Sequence, residues 1–314
     1  MVEKTLEPAY LALLHTGELK QRTEAAYEQL HACDFCGHEC HVDRYERVGV
    51  CKTGMRAVVA SYHPHMGEED PLRGWRGSGT IFFSWCNLSC QFCQNYDISQ
   101  LGHGQEVEPE DLAVMMLALQ EQGCHNVNLV SPTHVVAPIL ASILVAAQGG
   151  LRLPLVWNTG GYDSLTTLKL LDGVVDIYMP DIKYADAETA RKYSMVERYP
   201  EVNQTAVKEM HRQVGDLVID ETGIAQRGLL VRHLVLPKGL AGTPKVARFL
   251  AEEISRDTYI NVMDQYRPCH KAGELPPLNR RTSRAEFKQA LEHAREAGLH
   301  RFDKPGSLLH IVGI

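Results

Sequence analysis

Apolar and polar positions follow two rhythms along this chain. Near the start, Tyr10, Leu11, Leu13 and Leu14 recur at helical spacing, and Ala25, Ala26 and Leu30 continue the pattern, which predicts helix over 8–31. A cysteine-rich stretch, 33–54, closes at Gly54; residues 67–79 are crowded with glycine, proline and charge, the composition of a loop or hairpin. Beyond it, short apolar runs alternate with longer amphipathic ones. Strands are predicted to begin near 80, 127, 155, 175, 229 and 259. Helices are predicted over 108–122 (Pro109 near its start), 135–147, 164–171 (capped by Ser164), 243–255 (opened by Thr243 and Pro244) and 282–298 (capped by Ser283, stopped by Gly298). Residues 186–218 read as mixed helix and loop, and Ser307–Val312 as a further short strand.

Strands alternating with helices imply an α/β fold with a parallel sheet covered by helices. Six such units fall short of an eight-fold barrel, so a partial (βα)6 TIM-type barrel fits the count, with a doubly wound open sheet as the competing architecture. Functional residues of a parallel barrel gather at the C-terminal ends of its strands. Those ends carry Ser131, Pro132, Thr133 and His134; then Asn158, Thr159, Gly160 and Gly161; then Pro180, Asp181 and Lys183; then Arg232 and His233; and finally Asp264, Gln265, Tyr266 and Arg267. Each group alone reads as turn or cap chemistry. Their recurrence at one end of every strand reads as a site.

Composition narrows the function. The 314 residues suffice for one large domain, or one with a small extension, and a hydrophobic share of 44% is ordinary for a globular chain. A net charge of −7 argues against a protein built to grip nucleic-acid backbone. The longest apolar stretch, Val135 to Ala147, contains Pro138 and is too short to span a bilayer. The first residues lack the apolar core of an export signal, so a cytoplasmic protein without membrane attachment is expected. Seven of the nine cysteines lie between Cys33 and Cys93. In a long chain without export features such density points to metal binding rather than to a disulfide framework.

The cysteines form two groups. Cys86, Cys90 and Cys93 are spaced C-x3-C-x2-C, directly after the first βα-type strand. Three thiolates this close can hold three corners of a [4Fe–4S] cubane and leave one iron open; a structural zinc site would need a fourth, distant ligand. The second group, Cys33, Cys36, Cys40 and Cys51, is spaced C-x2-C-x3-C-x10-C. Four thiolates can close a tetrahedral zinc site or hold an additional Fe–S cluster, and the spacing leaves both open. A small segment with little apolar content would gain order from either metal. Cys124 precedes a strand and reads as core; Cys269 lies near a strand's C-terminal end.

The triplet resembles the signature of the radical S-adenosylmethionine (radical SAM) superfamily. The resemblance extends over roughly residues 30–270, through Gly77–Tyr96, Ser131–His134, Asn158–Tyr162, Pro180–Lys183, Arg232–Pro237 and Met263–Pro268. It is nearest to the pyruvate formate-lyase-activating-enzyme-related proteins of that superfamily. It implies a partial barrel over 67–314, preceded by a helical, cysteine-rich, metal-binding extension over 1–66. It implies a cluster on Cys86, Cys90 and Cys93 whose open iron takes SAM. Phe92 is implied to contact the adenine through its backbone. Ser131, Thr133, Asn158 and Thr159 are chemically suited to SAM, Asp181 and Lys183 to SAM or substrate, and Arg232 to a carboxylate. The expected activity is reductive cleavage of SAM to a 5′-deoxyadenosyl radical, with flavodoxin or ferredoxin as electron donor. Hydrogen would then be taken from a protein or peptide, as in glycyl-radical activation, or from a small molecule; a metal-stabilised binding protein without turnover is the non-enzymatic alternative. The extra cysteines precede the triplet, whereas some true activases carry ferredoxin-like cysteines after it.

Overall fold

The six apolar runs expected to be strands lie side by side. The computed structural model describes residues 6–303. Its strands are β1 (Ala57–His65), β2 (Ser78–Phe83), β3 (Gln105–Val107), β4 (Val127–Val130), β5 (Leu155–Thr159), β6 (Ile177–Pro180), β7 (Val218–Ile219), β8 (Ala225–Leu234), β9 (Tyr259–Met263) and β10 (Arg301–Phe302). Across the sheet the order is β10-β9-β8-β6-β5-β4-β2-β1-β3, with β7 beside β8. Along β2-β4-β5-β6-β8-β9 every pair is parallel and in chain order, while β7 pairs antiparallel with β8. A sequential order has no point where the strand direction of travel reverses, which removes the doubly wound alternative.

β1 and β3 pair antiparallel at one edge, and neither is legible in the sequence. β1 keeps only a short apolar start before Ser61, Tyr62 and His63, which are exposed, and it contains Pro64, tolerated because only β2 pairs there. β1 falls within residues 1–66, so the expected N-terminal extension supplies a strand to the main sheet. It shares the main core too: Tyr10, Leu11 and Leu19 pack in one cluster with Leu129, Ile143 and Leu155.

The helices are α1 (Tyr10–Thr16), α2 (Glu18–Glu28), α3 (Asp70–Arg73), α4 (Tyr96–Ser99), α5 (Pro109–Glu121), α6 (Val136–Gln148), α7 (Leu165–Leu171), α8 (Ala187–Ser194), α9 (Tyr199–Val214), α10 (Thr243–Phe249) and α11 (Arg284–Glu296). The single helix expected over 8–31 is broken at Gly17, whose φ of 78° ends α1 in a left-handed cap. Ser164 and Ser283 cap α7 and α11 as expected, while the helix expected to run to 255 ends in a π turn over Leu250–Ile254. Ser307–Val312 lies outside the described residues. Among the described residues no helix is long and apolar enough to cross a membrane.

The sheet curls. β1 and β9 are separated by β2, β4, β5, β6 and β8, six spacings of about 4.8 Å, or roughly 29 Å if flat. Yet Glu69, four residues beyond β1, accepts a hydrogen bond from Asn261 on β9 at 2.9 Å. Four residues reach only about 13 Å, so the two margins must approach each other. The loops beyond β2 and β9 meet as well: Lys271 N donates to Gln91 O at 2.9 Å, and Tyr96 stacks on His270 with ring centroids 4.9 Å apart. On the inner face, Val156, Ile177, Met179 and Leu230 pack around Leu72 from α3.

Candidate functional site

β2 delivers the chain into the cysteine loop through a sharp turn. Trp85 adopts φ 66°, a left-handed conformation that bulky residues rarely take. Three contacts hold it: its N–H donates to Ile98 O at 2.9 Å, the Lys52 ammonium stands 5.0 Å from its ring centroid, and Gly102 leaves the ring room that a Cβ would fill. The loop beyond is tied down by Ser89 N to Ser194 O (3.2 Å) and Gln91 N to Tyr193 O (2.8 Å). Phe92 packs edge-on against Tyr184 and Tyr266 in a buried aromatic cluster; its side chain does not reach the cavity.

Cys86, Cys90 and Cys93 all open on one cavity of about 180 Å³, whose wall includes Ser131, Asn158, Thr159, Gly160, Asp181, Lys183 and Arg232. Each sulfur has a polar neighbour suited to a thiolate: Leu88 N donates to Cys86 Sγ (3.4 Å), Ser194 Oγ lies 2.9 Å from Cys90 Sγ, and Ser99 Oγ lies 3.2 Å from Cys93 Sγ. Burial, followed by the charge on Cys90, pushes the Cys86 thiol up to about 12. Burial also raises Cys90, with Lys183 the largest opposing charge. Without a metal Cys86 and Cys90 would stay protonated; an iron centre would supply the positive charge that makes them thiolates. The donor set therefore fits a sulfur-ligated cluster. Among the described residues no three His, Cys, Asp or Glu side chains form a group that could hold a metal ion.

Cys33, Cys36, Cys40 and Cys51 line a second, smaller cavity together with His38, Arg44 and His134. A Cβ added to Gly49 would sit 3.5 Å from both Cys40 Sγ and Cys51 Sγ. Arg44, itself buried, points Nη1 at Cys33 Sγ (3.6 Å) and donates through Nη2 to His134 O (3.0 Å). Four thiols around one cavity fit a thiophilic metal. This segment grips the first site. His38 Nε2 lies 2.8 Å from Asn87 O, between Cys86 and Cys90; Asn87 Nδ2 donates to Tyr162 O (3.1 Å), and Tyr162 donates through its hydroxyl to Gly37 O (3.0 Å).

The strand ends behave differently from one another. Thr133 does not line the cavity. It is buried beside Asp163, which accepts from Thr133 Oγ1 (2.8 Å), Trp157 Nε1 (3.0 Å) and Thr159 Oγ1 (2.6 Å). The Thr133 hydroxyl braces the wall from behind. Asp181 receives Arg232 Nε (2.9 Å) and Lys183 Nζ (2.5 Å). Burial alone would raise its carboxyl; Arg232 and Lys183 outweigh burial and hold it below the usual range. Arg232 also donates to Asn158 Oδ1 (2.7 Å) and lies 3.8 Å from Glu68. It lines the cavity, but Asp181 and Glu68 already balance its charge, so it is not free to neutralise an incoming carboxylate. Burial and the neighbouring Glu69 raise the Glu68 carboxyl against the pull of Arg232.

Several of these groups escaped sequence reasoning. Asp163 reads as an ordinary loop residue before a capping serine. Tyr199 and Asn203, one turn apart on α9, clamp both loops: Tyr199 Oη accepts from Lys183 N (3.0 Å), and Asn203 Nδ2 reaches Gly161 O (3.0 Å) and Asp181 O (2.9 Å). Their polar i, i+4 spacing on a buried helix face was the available signal.

Comparison with known proteins follows this geometry. A family described as the Radical SAM superfamily matches residues 80–224. An uncharacterized protein of Methanocaldococcus jannaschii, MJ0674, is 33% identical over 295 residues, covering 90% of this chain and 79% of that protein. Among solved structures, a radical SAM methyltransferase from Sphaerobacter thermophilus aligns at 15% identity and TM-score 0.47, over 71% of this chain and 66% of that one. SuiB from Streptococcus suis, bound to S-adenosylmethionine, aligns at 12% identity and TM-score 0.45, over 68% of this chain and 45% of SuiB. The chain thus spans about two-thirds of the first structure and under half of the second.

Proposed function

Since the chain belongs to the radical SAM superfamily, we propose that it is a radical SAM enzyme acting on a protein or peptide, in the manner of the pyruvate formate-lyase-activating-enzyme-related proteins. The sequential, curled sheet is read as an open (βα)6 partial barrel. Cys86, Cys90 and Cys93 would hold a [4Fe–4S] cluster. A cluster held there would supply one-electron reduction of SAM, with flavodoxin or ferredoxin as the donor, so that SAM would be cleaved to methionine and an adenosyl radical able to take hydrogen from a substrate C–H bond. The observation that carries this reading is the convergence of three hydrogen-bonded sulfurs on one cavity with Ser131, Asn158 and Thr159 opposite them.

The chain's own groups then have distinct tasks. Asn158 would offer its amide and Ser131 its hydroxyl to a ribose or an amino acid, while the Thr159 hydroxyl is held by Asp163. Lys183 and Asp181 form a partly buried pair beside Cys90 that adds fixed charge without net charge. Phe83, Leu88, Ile98 and Val130 keep water from the rest of the wall. The Cys33, Cys36, Cys40 and Cys51 group is assigned a structural metal, zinc or a second cluster, that fixes Asn87 and Tyr162.

The test is anaerobic reconstitution with iron and sulfide, followed by dithionite and SAM. Wild type is expected to form 5′-deoxyadenosine; Cys90→Ala is expected to form none and to retain less iron. A Cys90→Ala protein with wild-type turnover would refute the assignment. A mass change on a co-purified polypeptide separates a protein substrate from a small molecule.

A further inference from the structure

Below the cysteine cavity, on the inner face of the sheet, lies a second polar group that the radical reading does not use. Glu68 and Glu69, in the link from β1 to α3, both turn inward: the Glu68 side chain is 8% exposed and Glu69 as a residue 5%. Glu69 Oε1 accepts from Asn261 Nδ2, but its Oε2 is buried without a partner. Asn128 on β4 is fully buried, and its Oδ1 has no partner. It faces inward beside Thr80, its register partner on β2, with its amide turned to the Glu68 carboxyl, whose charged form it favours. Buried polar atoms left unpaired are rare and call for a ligand, ion or water.

Charge sharpens the requirement. Arg232 and Lys183 both engage Asp181, and Arg232 also reaches Glu68 at 3.8 Å. Glu68 and Glu69 crowd each other, which raises the Glu68 carboxyl; a cation brought between them would relieve that crowding. What is missing is a donor-rich positive centre that can satisfy Glu69 Oε2 and Asn128 Oδ1. The approach is aromatic: Phe82, on the same inner face, is flanked by His63 (stacked, 5.6 Å) and His65 (edge-on, 5.8 Å), and His63 is solvent-exposed. Such a wall suits an alkyl stem ending in a cation.

We propose that Glu68, Glu69 and Asn128 form a subsite for an organic cation, a primary ammonium or guanidinium on an alkyl stem, carried by the substrate. The inference rests on the radical reading only in calling that ligand a substrate. Arg232 links the two places, since it contacts Glu68 on one side and Asn158 and Asp181 on the other. The cation would therefore anchor the stem next to the cavity.

The test is calorimetry on the anaerobically reconstituted full chain with SAM present. The probes are Nα-acetyl-lysine methylamide, its neutral isostere Nα-acetyl-norleucine methylamide, 1,5-diaminopentane and magnesium chloride. Capped lysine is expected to bind at least tenfold more tightly than capped norleucine. Glu69→Gln and, independently, Glu68→Gln should each erase that preference while SAM affinity stays within twofold, which also reports an intact fold. A preference for capped lysine over diaminopentane identifies a side chain of a polypeptide, and the reverse a free amine; both support the subsite. Equal binding of lysine and norleucine probes, a preference that survives both substitutions, or magnesium binding that excludes the lysine probe overturns it. A preparation that cleaves SAM yet ignores every cation defeats the subsite alone; one that binds capped lysine but never forms 5′-deoxyadenosine defeats the radical reading alone.

Discussion

Replacing Asp163 with alanine removes the acceptor that three donors share. Trp157 Nε1, on a side chain with no solvent exposure, would lose its partner in a place water cannot reach, at a cost of about 1–3 kcal/mol. Thr133 Oγ1 and Thr159 Oγ1 are 3.1 Å apart, so the two hydroxyls can pair with each other and lose only the net value of their bonds, about 1 kcal/mol each. The sum, about 3–5 kcal/mol, is reduced somewhat because burial raises the Asp163 carboxyl and its removal relieves that strain. Against a typical total of about 5–15 kcal/mol, the loss is large. Asp163→Asn should lose no more than about 1 kcal/mol, because one oxygen can still receive Trp157 and Thr133 while the amide donates to Thr159. Urea titration under anaerobic conditions, followed by tryptophan fluorescence, measures both, and SAM affinity should weaken in Asp163→Ala as Thr159 shifts in the wall. An alanine variant within about 1 kcal/mol of wild type, or an asparagine variant as unstable as alanine, would refute the bracing role.

Other expectations concern the neighbouring loop and the far end of the sheet. Gly161 sits at φ 74°, and an added Cβ would overlap Asn203 Nδ2 and Asp181 O; Gly161→Ala should cost about 1–2 kcal/mol for the left-handed backbone and more for the displaced Asn203, visible as a lowered urea midpoint and weaker SAM binding. Asp176 accepts Ala9 N (2.8 Å) and Leu155 N (3.0 Å), and burial raises its carboxyl from 3.8 to about 6. A raised carboxylate contributes its stability below the unfolded value and loses it as pH climbs through the folded one, so the shift corresponds to as much as about 3 kcal/mol lost between pH 4 and 7. The stability difference between wild type and Asp176→Asn should therefore drift against wild type over that interval; a difference independent of pH would exclude the linkage.

What the sequence revealed, and what it hid, follow from the range of the interactions. The six parallel strands announce themselves because both faces are buried and their apolar runs are continuous. Cys86, Cys90 and Cys93 are adjacent in sequence, so their grouping needs no fold to be seen. Asn158, Thr159, Asp181, Lys183 and Arg232 line the cavity because strand ends in a parallel sheet converge. Thr133 lies behind that wall, its hydroxyl on Asp163, a long-range pairing that strand-end position alone does not reveal. β1 carries a polar, proline-containing second half that only pairing with β2 explains. The carboxylates Glu68 and Glu69 sit in a charged run that reads as solvated; only the curl of the sheet brings them to Arg232 and Asn261.

Electron paramagnetic resonance of the reduced, reconstituted protein, recorded before and after adding SAM, addresses the vacancy on the iron centre most directly. Ligation by Cys86, Cys90 and Cys93 alone leaves one iron able to take the amino and carboxylate groups of SAM, so the signal should change on addition, and Asp163→Ala should need more SAM to reach the same change. A signal from the wild-type cluster that is identical with and without saturating SAM would contradict an open iron at this site.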